Sequence, residues 1–298
     1  MSTEYIHKSV LLKEMVDGLS IQKDDVIVDC TLNTGGHSEY ILNKYNDVTV
    51  VGIDADKEAI TKAQSRLGSF GQRFIPQKSN FRNLDDVLSR LRYETVQGFM
   101  FDLGWSSDQL ELSGRGFTFQ KDEPLHMSYN SEEKDITART VVNEWSEETL
   151  ASIIKGFGEE SFARRIAKAI VEARKIHSIE TTRELKEIVW QAVPVFYRKK
   201  KIHPATKTFQ AIRIAVNDEF GALTEGLAKA FEKLEVGRRI AVISFHSLED
   251  RIVKQWAKAL VEEQKAILIN KKPIIPGNEE LNHNPRARSA KLRIIQKK

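Results

Sequence analysis

The sequence is poor in cysteine and in long apolar runs, and both shortages exclude broad classes of protein. Its 298 residues contain one cysteine, Cys30, so no internal disulfide can form and a reducing compartment is the economical inference. No apolar run approaches the ~20 residues of a membrane-spanning helix, and Met1 to Val10 lack the apolar core of a signal peptide. We therefore expect a cytoplasmic protein without a membrane partner.

Motifs of two common enzyme classes are missing as well. The sequence has no Gly-x-Gly-x-x-Gly after its first apolar strand, which disfavours a nicotinamide-dependent oxidoreductase. Its histidines are scattered without the spacing of metal ligands, so we expect no metal. A hydrophobic content of 41% with 30% charged residues is instead typical of an ordinary globular chain.

Charge is distributed unevenly, although the net charge is only +4. Residues 111–154 carry 4 basic and 9 acidic residues, whereas residues 155–210 carry 13 basic and 6 acidic ones. The last segment, 284–298, has 6 basic residues and no acid. Such a distribution is typical of a surface that faces nucleic acid, while a solvated helix face is the commoner meaning of any one cluster.

Short apolar segments that finish near an acid predict parallel strands in the first third of the chain. The strands are predicted at residues 26–29, 48–54, 74–77 and 96–103, and three of them carry Asp29, Asp54 and Asp102 at or beside their ends. A turn with Gly35 and Gly36 follows the first strand. Ligands of open α/β sheets bind outside the carboxyl ends of the strands, so these acids predict a cofactor site. Their pattern fits an adenosylmethionine-dependent methyltransferase better than a nicotinamide fold.

The alternation of strands and helices stops near residue 111 and resumes near residue 211. Between these positions the pattern is helical, with a capping box at Thr181 and Glu184 and a basic stripe formed by Arg164, Arg165, Lys168 and Lys175. A fifth strand is predicted at 239–244, and segments 266–270 and 291–295 are expected to pair as a hairpin. We therefore predict a discontinuous α/β domain, residues 1–110 and 211–298, interrupted by an all-helical domain, residues 111–210.

Eight motifs in order resemble the bacterial small-subunit rRNA cytosine-N4 methyltransferase family, RsmH or MraW. They are His7–Glu14, Asp29–Ser38, Asp102–Leu110, Arg115–Phe119, Gly158–Ala167, His203–Ile214, Ser244–Arg251 and Asn284–Arg293. The resemblance implies an α/β class I methyltransferase fold, a Rossmann-like doubly wound sheet with a C-terminal antiparallel hairpin, and an inserted helical substrate-recognition domain. It also implies S-adenosyl-L-methionine as donor, a decoding-region cytidine of 16S rRNA as acceptor, the small ribosomal subunit as partner and a homodimer as a candidate assembly.

The resemblance also assigns site residues position by position. The donor-binding set is Gly35, Gly36, His37, Asp54, Phe81, Asp102 and Gln109. In physical terms, the loop amides and His37 would hold the methionine end, Asp54 the ribose and Phe81 the adenine, with core packing as the alternative for Phe81. Asp102 and Gln109 would lie near the sulfonium, and Asp102 is the candidate catalytic residue.

Candidate substrate residues follow from position and residue type. Trp105 and Ser106 come just after the fourth strand, where they would clamp the target base, although Trp105 is equally suited to a hydrophobic lid. The secondary candidates are His203, Arg213, Asn217 and His246.

The chain departs from the family pattern at two places. Asn33 replaces a glycine, and we expect the turn to be retained because asparagine tolerates positive φ. The segment Pro124–Tyr129 has His126 where the family has an aspartate and Ser128 where it has an arginine. These departures leave a second reading open, in which the chain is a non-catalytic or retargeted RNA-binding paralogue of the same fold.

Overall fold

The computed structural model describes residues 9–104, 113–129 and 136–298. The chain divides into two compact units, the first formed by residues 1–106 with 220–298 and the second by residues 107–219. The boundary predicted after residue 210 falls inside a helix, Ala205–Asn217, which belongs wholly to the second unit. That helix ends at Asp218, where the backbone turns left-handed with φ 45°, and a second helix begins at Glu219.

A seven-stranded sheet forms the centre of the first unit, in the order β3-β2-β1-β4-β5-β7-β6. The strands are β1 Val26–Asp29, β2 Thr49–Asp54, β3 Phe74–Lys78, β4 Val96–Asp102, β5 Leu234–Ser244, β6 Ala266–Leu268 and β7 Lys291–Lys297. Strands β1 to β5 are parallel, whereas β7 runs antiparallel to both β5 and β6. The predicted fold, a class I methyltransferase sheet closed by an antiparallel hairpin, is confirmed, and so is the hairpin itself.

Helices cover both faces of this sheet. They are α1 Leu12–Leu19, α2 Gly36–Lys44, α3 Lys57–Leu67, α4 Leu84–Arg90, α11 Glu219–Lys233, α12 Ser247–Glu262 and α13 Asn278–His283. Neighbouring strand residues point to opposite faces, so Ile27 joins a core with α1, α2 and α3, while Val28 joins a second core with α4, α11 and α12. Burial on both faces explains why the central strands read as continuous apolar runs.

The described helices of the second unit all lie within residues 136–219, whereas residues 113–129 form turns and one isolated bridge, from Pro124 to Thr181. Its helices are α5 Ala138–Glu144, α6 Glu147–Gly156, α7 Ala163–Arg174, α8 Thr182–Ala192, α9 Val195–Arg198 and α10 Ala205–Asn217. The predicted capping box at the start of α8 is confirmed: the Thr181 hydroxyl accepts from the Glu184 amide, and the Glu184 carboxylate accepts from the Thr181 amide. In the part of the chain that is described, no helix has the length and apolar character needed to cross a bilayer.

Candidate active site

Three carboxyl groups lie at the carboxyl edge of the sheet, one at the end of each of three adjacent strands. Asp29 ends β1, Asp54 ends β2 and Asp102 ends β4, and β1 is hydrogen-bonded to both neighbours. Because parallel strands finish at the same edge, the three acids predicted from the sequence are brought together. Burial raises the pKa values of Asp29 and Asp102, and repulsion by the neighbouring acid, Asp54 for Asp29 and Asp29 for Asp102, adds to the rise.

The loop from β1 to α2 forms a tight turn at the carboxyl edge of the sheet. Asn33 adopts φ 49°, so the left-handed turn expected of asparagine at this position is confirmed, and its amide donates to Asp54 Oδ2 at 2.8 Å. Gly35 has φ 80° at the N-cap of α2. A Cβ on Gly36 would collide with the Ser9 hydroxyl, so a larger residue there would force the Ser9 side chain to move.

Asp29 is buried, and each of its carboxylate oxygens accepts a hydrogen bond. The donor-binding set predicted from the sequence does not include this residue. The Ser38 hydroxyl donates to its Oδ2 at 2.6 Å, and the Thr31 amide donates to its Oδ1 at 3.2 Å. Burial raises the pKa of Asp29 from 3.8 to about 7. Its position at the end of the first strand places it at the cofactor edge, just as Asp54 ends the second strand, but the family resemblance does not assign it to the donor-binding set.

Asp54 is held by backbone amides on both of its carboxylate oxygens. Oδ2 accepts from the Asn33 amide and Oδ1 accepts from the Asp56 amide, each at 2.8 Å. Burial raises the pKa of Asp54 to about 6, and these amides oppose the rise. Each oxygen keeps a second lone pair, so the carboxylate is fixed in place and still able to accept from a pair of hydroxyl groups.

Asp102 and His37 form a buried pair beside Asp29. His37 Nδ1 lies 3.5 Å from Asp102 Oδ2, and His37 Nε2 lies 3.1 Å from the Val10 carbonyl oxygen. Burial, followed by the charges of Asp29 and Glu249, raises the pKa of Asp102 well above its ordinary value. Its other oxygen, Oδ1, is buried and has no hydrogen-bond partner among the described residues. A buried acceptor without a protein partner is costly, so it indicates a position where a ligand group could donate a hydrogen bond.

Phe81 opens a short 3₁₀ turn, Phe81–Asn83, just after β3. Its ring packs edge-on against Phe101, with the ring centroids 5.6 Å apart, and Gly226 of α11 approaches it closely. The ring is half-buried. The core contacts expected under the alternative reading are therefore present, and the contact of Phe81 with adenine stays a prediction.

His246 follows β5 and caps α12. Its Nδ1 accepts from the Glu249 amide at 3.3 Å, and its Nε2 lies 3.2 Å from Glu249 Oε1. A cavity of about 260 Å³ adjoins this cap and is lined by His246, Phe245, Ile275, Leu281, Arg288 and Lys291 among others. β5 pairs with β4 up to Asp102 opposite Ile243, so His246 lies at the same edge of the sheet as Asp102.

The remaining candidates in the second unit have structural partners of their own. Arg213 makes a two-pronged contact with Glu219 at 2.8 and 2.9 Å, and Asn217 binds the backbone of Tyr129 and Met127. His203 stacks between aromatic rings and accepts from the Ala205 amide at 3.1 Å through Nδ1. Trp105, Ser106 and Gln109 lie outside the described residues.

The described part of the chain contains no group of three or more His, Cys, Asp or Glu side chains that could hold a metal ion. The donor set at the sheet edge consists of carboxylates and one imidazole already engaged with neighbouring groups.

Comparison with known proteins extends over nearly the whole chain. The model of the MraW methylase family matches residues 4–298. Ribosomal RNA small subunit methyltransferase H of Persephonella marina is 46% identical over 98% of this chain and 99% of its own length. The enzyme of the same name from Sulfurihydrogenibium sp. is 46% identical over 97% and 98%. Among solved structures, an rRNA methylase from Streptococcus thermophilus is 12% identical over 98% of each chain, with a TM-score of 0.47.

Proposed function

The chain belongs to the MraW methylase family, and from this premise we propose that it transfers a methyl group from S-adenosyl-L-methionine to the N4 amino group of a cytidine in the decoding region of 16S rRNA. Two relatives that are 46% identical over nearly their full length carry the name of a small-subunit rRNA methyltransferase. Work on ribosomal RNA would place the protein in the cytoplasm, with the small subunit as its partner.

The observation that carries this proposal is the buried Oδ1 of Asp102 at the carboxyl edge of the sheet, which has no hydrogen-bond partner in the described part of the chain. The residues around it suit the donor: Asp54 presents a fixed carboxylate for ribose hydroxyls, and the Gly35–Gly36 turn lets the backbone approach closely. Asp102 offers a negative charge that a cation would stabilise. When bound, the donor supplies an electrophilic methyl group on a positively charged sulfur.

The protein's contribution to such a transfer is mainly orientation. The cytosine N4 lone pair is delocalised into the ring, so the amine must be held in line with the methyl group. Asp102 Oδ1 is suited to accept a hydrogen bond from this amine while positive charge develops on nitrogen. The proton that leaves N4 after the new N–C bond has formed would pass to this carboxylate or to water.

Retention of the turn at Asn33 favours the catalytic reading over the non-catalytic paralogue. The left-handed φ of 49° preserves the loop, and the Asn33 amide itself positions Asp54. His126, the other departure, lies in the second unit, where its backbone binds Pro124 and Ala138. It is therefore a candidate for altered substrate choice and not for loss of donor binding.

Calorimetry with S-adenosyl-L-methionine, followed by single-turnover methylation of small ribosomal subunits, tests the proposal. We expect saturable donor binding and label transfer to RNA by the wild-type chain. Asp102→Asn keeps the shape but removes the charge, and losing one such interaction typically costs about a hundredfold in rate, roughly 3 kcal/mol. Absence of donor binding by the wild-type chain would instead support the non-catalytic paralogue.

A further inference from the structure

Three large apolar side chains of the second unit are exposed in one short segment around α9. Val195 is 63% exposed, Phe196 66% and Ile202 59%. Single exposed apolar residues are ordinary, but three within eight positions, one of them aromatic, form a patch of the kind that marks an interaction site. We call this patch, together with the basic residues in the same segment, the α9 tip, residues 194–204.

Neighbouring residues hold the α9 tip in this outward arrangement. The Tyr197 hydroxyl donates to the buried Glu160 carboxylate at 2.7 Å, and the Tyr197 ring packs edge-on against Phe162 with centroids 4.9 Å apart. Burial and the Glu160 contact raise the pKa of Tyr197 to about 12, so this hydroxyl remains a donor at all physiological pH values. Because Tyr197 points inward, its neighbour Phe196 is displayed on the surface.

The α9 tip is also strongly basic. Residues 198–201 are four consecutive cations, and Lys199, Lys200 and Lys201 are all exposed. Between residues 186 and 202 there are five basic residues and one acid, Glu187. Such a surface suits a polyanion that also presents flat apolar faces.

A stack of rings beside the tip completes the surface. The Trp190 indole lies on the His203 imidazole, with centroids 5.2 Å apart and planes inclined by 21°, and the other side of the stack is Phe119, 5.1 Å from His203. The Arg198 guanidinium lies 5.6 Å from the Trp190 centroid and is anchored by the Val193 and Gln191 carbonyls. Trp190 remains 36% exposed, so an aromatic edge faces solvent next to the cations.

We propose that the α9 tip is a stacking platform for unpaired RNA bases, resting on the proposed function in that the RNA is the rRNA segment flanking the methylated cytidine. Phosphates meet Lys199–Lys201, and a base stacks on Phe196. Unpaired RNA fits better than duplex RNA because only unstacked bases offer free faces to an aromatic ring. The stripe on α7 is basic without exposed aromatics, and its Lys168 lies 3.7 Å from Glu172, so it is a weaker site for bases.

Substitutions of Phe196 test stacking directly, with a short single-stranded oligoribonucleotide as the probe. Phe196→Ala should weaken binding about tenfold, the usual effect of removing one base–aromatic stack. Phe196→Leu keeps the apolar surface but loses the π face, so it should behave like the alanine variant, whereas Phe196→Trp should restore affinity. Ile176→Ala is the matched control, because Ile176 is an apolar side chain of the same unit with 85% exposure.

Charge reversal tests the second half of the proposal. Changing Lys199, Lys200 and Lys201 together to glutamate should weaken RNA binding and lower the salt dependence by about two units, since roughly 0.7 counterions are released for each phosphate contact on a single strand. The control makes the same charge change at Lys254, Lys271 and Lys272, which are exposed on the first unit. It should leave the salt dependence almost unchanged.

Three outcomes would overturn the platform. One is wild-type RNA affinity in Phe196→Ala, and another is full affinity in Phe196→Leu, which would indicate a hydrophobic and not a stacking contact. The third is that the Phe196 or lysine variants bind RNA normally but no longer bind vesicles of phosphatidylserine and phosphatidylcholine, or no longer self-associate. If the wild-type chain methylates rRNA while these variants bind normally, only the platform fails; if the wild-type chain transfers no methyl group, the proposed function fails.

Discussion

His37 Nδ1 faces Asp102 Oδ2 across 3.5 Å, and the opposite ring nitrogen of His37 faces the Val10 carbonyl at 3.1 Å. A carbonyl oxygen can only accept a hydrogen bond, so Nε2 of His37 carries a proton. Nδ1 is therefore the ring nitrogen that interacts with the Asp102 carboxyl group. Both side chains are buried, and burial raises the pKa of Asp102 well above its ordinary value. Burial therefore favours the protonated form of the Asp102 carboxyl group in the free protein.

Donor binding should release that proton. A cation near Asp102 favours its ionised form, which lowers the pKa of the carboxyl. Calorimetric titrations with S-adenosyl-L-methionine in buffers of different ionisation enthalpy should give heats that depend on the buffer, with up to one proton released at neutral pH. Asp102→Asn should remove this dependence. Heats that are independent of buffer in the wild-type protein would show that Asp102 already carries its charge.

Asp54→Ala should abolish donor binding and also weaken the fold slightly. The substitution removes the acceptor of the Asn33 and Asp56 amides, and an unpaired buried donor typically costs about 1–3 kcal/mol. Chemical denaturation and donor titration should be measured on the same preparations. Asp47→Ala, at an exposed acid of the same unit, is the control and should change neither quantity. Wild-type donor affinity in Asp54→Ala would show that another residue binds the ribose.

The main elements of the fold could be predicted from the sequence because each has a local signal. The apolar runs at β1, β2 and β4 are buried on both faces, and Asp56 caps α3 by accepting a hydrogen bond from the Glu58 amide. The end of α10 could not be predicted, because no glycine or proline follows Asn217 directly to mark the left-handed turn at Asp218.

The site was only partly predictable for a similar reason. Residue type and strand position identify the acids, but they do not reveal which oxygens already have partners. Arg213 and Asn217 have the chemistry of RNA ligands, yet the structure engages them with Glu219 and with the backbone of Tyr129 and Met127. Likewise, the buried Asp102 Oδ1 becomes visible only once the surrounding atoms are in place.

Stability should fall as pH rises through the mildly acidic range, and Asp29 should account for part of the fall. Its pKa is 3.8 when unperturbed and about 7 in the folded protein, so between these values the native state binds more protons than the unfolded state. The free energy of unfolding then declines by at most about 1.4 kcal/mol per pH unit for this group. Asp29→Asn, whose amide can donate to the Ser38 hydroxyl, should flatten the decline measured by urea unfolding. Asp86→Asn, on an exposed site of α4, should leave the slope as it is.

Asn217→Ala should lower the stability of the protein more than it lowers RNA methylation. Asn217 accepts from the Tyr129 amide at 2.9 Å and donates to the Met127 carbonyl at 2.8 Å, so the substitution leaves two backbone groups without these partners. We expect a loss of about 2 kcal/mol in the free energy of unfolding, compared with little change in Asn46→Ala at an exposed turn. Unchanged stability combined with weakened RNA methylation would instead make Asn217 a direct substrate contact.

Mass mapping of small-subunit rRNA is the most direct test of the central claim. The rRNA would be compared among cells with the protein, cells lacking it, and cells complemented with wild-type or Asp102→Asn protein. We predict one N4-methylated cytidine in the decoding region that disappears without the protein, returns with the wild-type chain and stays strongly reduced with Asp102→Asn. An rRNA methylation pattern that is identical in all four samples would contradict the assignment of this chain as an rRNA cytidine methyltransferase.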